Sequence, residues 1–115
     1  MNMTEGTAKI LSLSGLCRRA GGVIPGSGAV LGAIKRGGSG APAAIFLSSG
    51  ASDRTKKQIT DKASFAGIEL FVLEADQYDF GRALGIAASV SVYALTGRGP
   101  ASAVIELART LRDNS

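Results

Sequence analysis

Apolar residues recur along this chain in segments of helical spacing separated by short continuous runs. Ile10, Leu13 and Cys17 fall on one side of a first helix, with Leu11 and Leu16 beside them. Thr4 or Thr7 caps it, Arg18 and Arg19 occupy its last turn near Ala20, and Gly21-Gly22 ends it. Residues 22–24 predict a short strand. Ser27 then caps a second helix whose apolar side is Val30, Ala33 and Ile34, stopped by Gly37-Gly38 and followed by a loop over residues 39–42. Residues 43–47 are a continuous apolar run, the pattern of a strand buried on both faces.

Ser52 or Asp53 caps a third helix, Asp53–Ala66, with Ile59, Ala63 and Ala66 inward and Gly67 as its terminator. Strands follow at residues 69–73 and 90–95, with a short helix over residues 78–84 between them, ended by Gly85. A turn at residues 96–100 places Pro100 to open a last helix that buries Val104, Leu107, Ala108 and Leu111. Residues 113–115 are expected to fray. Helices alternating with short strands predict an α/β fold, a three-layer α-β-α sandwich around a small mixed sheet of about four strands.

Composition narrows the chemistry. The 115 residues fit one domain, and 45% hydrophobic residues suffice for a core. No apolar run approaches the roughly 20 residues that cross a bilayer, and the N-terminus lacks a signal-peptide pattern. One cysteine, Cys17, precludes an internal disulfide and fits a reducing, cytoplasmic compartment. Cys17 lies on the buried stripe of the first helix, which favours an inert thiol. Histidine is absent, which removes Ser-His-Asp and Cys-His catalysis and the commonest metal ligand. The carboxylates show no metal-cage spacing, and Asp76 and Asp79 read as helix caps. No catalytic residue, metal, cofactor or small-molecule substrate is expected. A net charge of +4 and a pI near 9.6 favour an anionic partner.

The candidate chemistry lies at Gly26-Ser27-Gly28-Ala29-Val30-Leu31-Gly32, a glycine turn between a strand and a helix. Such a turn leaves backbone N–H groups at the positive end of the helix, a place for phosphate. Gly28 and Gly32 also admit a packing role. A dinucleotide loop fails on spacing, because position 31 is Leu and the only nearby acid is Asp53. A P-loop is excluded, as no Gly-Lys-Ser/Thr follows. Arg18 and Arg19 suit either RNA phosphate or the dipole of their own helix. Arg54, Lys56, Lys57 and Lys62 are offset by Asp53–Lys57 and Lys57–Asp61 spacings, a solvated face.

Leu16-Cys17-Arg18-Arg19-Ala20-Gly21, then Gly26, then Ser52-Asp53-Arg54-Thr55-Lys56-Lys57 and Leu84-Gly85-Ile86 before an apolar strand, resemble a bacterial branch of the large-subunit "seven-Ae / thirty-e" ribosomal protein superfamily. That superfamily includes kink-turn RNA-binding proteins. The resemblance spans nearly the whole chain. It implies a three-layer sandwich that grips bent RNA with two elements. One is the glycine turn and second helix: Gly26, Ser27, Gly28, Ala29 and Gly32, with Lys35 and Arg36 further along. The other is the loop before the last strand: Ile86, Ala87, Ala88, Ser89 and Val90.

Relatives of that superfamily commonly carry polar or charged side chains in place of Gly28, Ala29 and Gly32, and a basic one in place of Gly22. Each missing charged hydrogen bond is worth about 1.5–3 kcal/mol. The expected function is therefore non-enzymatic binding of structured RNA, kink-turn or ribosomal, by a ribosome-associated protein with ribosomal proteins as neighbours. The alternative is a protein–protein interaction module on the same fold. A positive rim around the glycine turn favours RNA, and a flat apolar patch favours protein.

Overall fold

In the computed structural model, which describes residues 4–114, the elements follow the order α1 (Glu5–Arg19), β1 (Val23–Pro25), α2 (Ser27–Arg36), β2 (Ala44–Ser48), α3 (Asp53–Ala66), β3 (Leu70–Leu73), α4 (Gln77–Leu84), β4 (Val92–Leu95) and α5 (Ala101–Asp113). The sheet order is β1-β4-β2-β3. β4 is antiparallel to both β1 and β2, while β2 and β3 are parallel. The fold is thus the expected α/β sandwich with a mixed four-stranded sheet among the described residues.

The continuous apolar runs are explained by burial on both faces. Along β2, Ala44 and Phe46 face α1, α4 and α5, whereas Ile45 and Leu47 face α2 and α3. β4 divides likewise, Tyr93 and Leu95 against Val92 and Ala94. An aromatic stack centres the first layer: Phe46 lies 5.3 Å from Phe71 and 5.2 Å from Tyr93, and Phe80 meets Tyr93 edge-on. The Tyr93 hydroxyl is 2.8 Å from Ser14 Oγ. Ser14 spends its single proton on Ile10 O, so Tyr93 is the donor in that pair. Burial pushes the Tyr93 phenol far above its ordinary range. Cys17 is fully buried in the same layer, and burial raises its thiol pKa as well.

Several local expectations are corrected. Gly26, not Ser27, is the N-cap of α2, and Ser27 is its first helical residue. Ala66 is exposed rather than inward, and Leu16, expected beside the buried stripe of α1, is exposed as well. The first strand covers residues 23–25, and the last begins at Val92, since residues 86–90 run along α4, with Ile86 and Val90 N–H bonded to it. Pro100 sits at the N-cap of α5, one position before the helix. Thr4 caps α1 and Ser52 caps α3, each accepting from the N–H three residues on. α5 continues through Asp113, so the expected fraying does not reach that residue, and Ser115 lies outside the described residues. Of the two expected α3 pairs, Lys57–Asp61 forms at 3.1 Å on the exposed face.

Candidate nucleic-acid interface

β1, β2 and β3 run in one direction, so their C-terminal ends meet the start of β4 on a single edge of the sheet. α2, α3 and α4 all begin there. Their first turns differ. At α3, Ser52 accepts from Thr55 N–H, and Asp53 adds an acid to the first turn. At α4, Asp76 Oδ1 accepts from Tyr78 N–H at 2.9 Å and Asp79 N–H at 2.8 Å, while Asp79 accepts from Asp76 N–H at 3.0 Å, a reciprocal capping box. The Asp79 N–H bond is the foremost cause that holds the Asp76 carboxyl below its ordinary range.

α2 has neither a side-chain cap nor an acid in its first turn. Its N-cap, Gly26, takes φ +95° and ψ 147°, a conformation that side chains strongly disfavour. Gly26 O accepts the first helical bond from Val30 N–H. The preceding N–H groups, of Ser27, Gly28 and Ala29, have no partner among the described residues. Gly28 and Ala29 are exposed, and a methyl group on Gly28 would meet nothing. On Gly32 it would meet only the Arg36 guanidinium, at 3.5 Å. The packing role for these glycines therefore fails: their missing side chains leave open surface, not helix contacts. Arg36 folds back along α2 over Gly32, and Lys35 is exposed beside it.

The second predicted element is joined to the first by one hydrogen bond. Gly26 N–H donates to Val92 O at 2.8 Å, two residues past the end of the loop. Residues 86–90 run back along α4: Ile86 N–H donates to Gly81 O, and Val90 N–H to Gln77 O. Val90 is buried in the main core and Ile86 is half-buried against it, so these two side chains turn inward. The loop presents Ala87, Ala88 and Ser89 to solvent. Ser48 N–H donates to Ser91 O, which brings the turn before α3 to the same edge.

Arg18 has a role that neither sequence reading anticipated. Its Nη1 donates to Leu84 O at 2.8 Å and so complements the C-terminus of α4. Sequence reasoning also passed over Tyr78, although an aromatic in the first turn, outside the inward positions Phe80 and Leu84, was a usable signal. Among the described residues no group of His, Cys, Asp and Glu is arranged to hold a metal ion, and no helix is long and apolar enough to cross a membrane.

A solved structure of a protein with unknown function from Bacillus halodurans C is 31% identical, covering 89% of this chain and 98% of that one, with a TM-score of 0.76. The chain belongs to the same family as that Bacillus halodurans protein. A Giardia lamblia 15.5kD RNA binding protein shares the fold at 14% identity, with a TM-score of 0.77 over 98% of this chain and 92% of that chain. No protein-family model and no curated protein matches the sequence. The surface at the start of α2 is open, since a methyl group on Gly28 would meet nothing within 4 Å.

Proposed function

We propose that this protein binds structured RNA, of the kink-turn or ribosomal kind, in association with the ribosome and ribosomal proteins. The observation that carries this reading is the uncapped start of α2, held one hydrogen bond from the end of the loop at residues 86–91. Three backbone donors, unmasked by side chains, face solvent at the positive end of a helix, where a phosphate oxygen is the favoured occupant. Lys35 and Arg36 extend the positive character along the same helix.

The side chains nearest the loop also favour RNA over a protein partner. Ile86 and Val90 turn inward, so the exposed tip is made of small residues rather than an apolar patch. Gly28, Ala29 and Gly32 lack the base-reading groups of the resembled superfamily, so recognition here rests on phosphate geometry and RNA shape. The shared fold with the Giardia RNA binding protein supports the same class of partner.

The test is a titration into a kink-turn RNA at low and physiological salt, beside a control RNA whose tandem G·A pairs are replaced. The expected result is preference for the kinked RNA and affinity that falls steeply with salt. Equal or absent binding to both RNAs, or tight binding indifferent to salt, overturns the reading.

A further inference from the structure

Among the described residues, four large apolar side chains are exposed: Leu16, Phe65, Val72 and Tyr78. Their positions distinguish them. Leu16 lies near the end of α1, which leads into the start of β1 and so toward the edge opposite Gly26. α3 has 14 residues and a length of about 21 Å, which carries Phe65 away from the edge where that helix begins. Val72 is aliphatic and sits on the outer strand β3. Tyr78 is the aromatic in the first turn of α4, on the edge that holds the uncapped start of α2.

The sides of α4 are set by its contacts. Phe80, Gly81 and Leu84 are buried. Asp79 and Ala83 line a cleft with Leu11 and Gly15 and so face α1. The other flank meets the returning loop: a methyl on Gly81 would collide with Ala88 O, and Gly81 O accepts from Ile86 N–H. Tyr78 lies three residues before Gly81, one turn up the helix on that flank, and its neighbour Gln77 accepts from Val90 N–H. Tyr78 is 60% exposed, and its hydroxyl has no partner among the described residues. Arg82, four residues on, is exposed, lines the cleft toward α1 and is held by Asp79 at 2.5 Å.

We infer that Tyr78 is a stacking residue for an unpaired RNA base beside the loop at residues 87–89, an inference that rests on the RNA-binding reading above. Ala87, Ala88 and Ser89 are small and exposed. A base suits an exposed aromatic beside so small a loop, because it offers a flat π-face to the ring and polar edges to solvent. The two nearby acids do not oppose this. Asp76 is engaged by backbone N–H groups, and Asp79 is paired with Arg82.

The test uses the full chain and a kink-turn RNA with 2-aminopurine at an unpaired position, read by fluorescence quenching and by affinity. Wild-type protein is expected to quench the probe. Tyr78→Phe keeps both quenching and affinity, since the ring is retained. Tyr78→Ala loses the quenching and weakens binding roughly 5- to 100-fold, the range of one base–aromatic stack. Phe65→Ala leaves both unchanged. Thermal melting of the exposed Tyr78→Ala variant reports that the fold is kept. Equal binding and quenching by Tyr78→Ala overturn this inference while the RNA-binding reading stands. Failure of the wild type to bind the RNA overturns that reading and this inference with it.

Discussion

At the start of α4, two carboxylates and three backbone N–H groups satisfy one another. At the start of α2, on the same edge of the same sheet, Gly26 brings no side chain and three N–H groups are left to solvent. Both helices face the same requirement, since the first turn of any helix has donors without intrahelical partners. One end meets it from within the chain. The other leaves it open to a ligand. A helix start that carries its own anion has little to offer a phosphate, so the proposed difference in function between these regions follows from which cap the chain supplies.

The sharpest way to break the contrast is at Gly81. Its added methyl would meet a backbone carbonyl, which cannot swing aside as a flexible side chain does. Gly81→Ala should destabilise the protein by about 1–3 kcal/mol in denaturant unfolding, the usual cost of overpacking. It should also raise amide exchange at Val90, whose N–H bond to Gln77 O holds the loop on α4. If stability and exchange are unchanged, the loop is not seated on α4 as described.

The sandwich, the order of elements and most of the caps were legible before any coordinates, because they rest on local chemistry: Thr4, Ser52 and Asp76 before periodic segments, and Gly67 and Gly85 after them. The apolar run at residues 43–47 announced a strand buried on both sides, found one residue later at Ala44–Ser48. The errors had non-local causes. Ser27 is a good capping residue by type, but the mirror-region conformation of Gly26 moves the cap back by one. That conformation is tied to the bond to Val92, far along the chain. Arg18 was readable only as a cation near a helix end, and that the end belongs to α4 depends on packing. Val90 and Ile86 read as apolar loop residues, and nothing local says that they turn inward.

A second experiment makes α2 resemble α4. Ser27→Asp places a carboxylate in the first turn of α2, beside the unpartnered N–H groups. Folding stability should rise by about 0.3–1 kcal/mol in low salt. RNA affinity should fall about tenfold, because the new anion occupies the positive end that a phosphate would use. A gain in stability without loss of affinity would place the RNA elsewhere on the molecule.

The smallest effect is expected from acid. The folded-state pKa of Asp76 is lowered, first by the Asp79 N–H bond. Its stabilising effect is therefore present above the ordinary aspartate value near 3.9 and is lost as pH falls through the lowered value. Amide exchange, corrected for the intrinsic pH dependence, should show the first turn of α4 loosening in that window. The start of α2, which has no carboxylate to protonate, should not change. Parallel loosening of both would mean that Asp76 is not what distinguishes them.

The bond from Gly26 to Val92 also acts as a gauge. At that bond the backbones of the α2 start and of β4 are spaced by the distance between adjacent hydrogen-bonded strands, roughly 4.8 Å, and not by the reach of a flexible side chain. Residues at positions 28, 29, 32 and 87–89 are free to change without altering that spacing. The same calliper can thus carry different tips while its width stays constant.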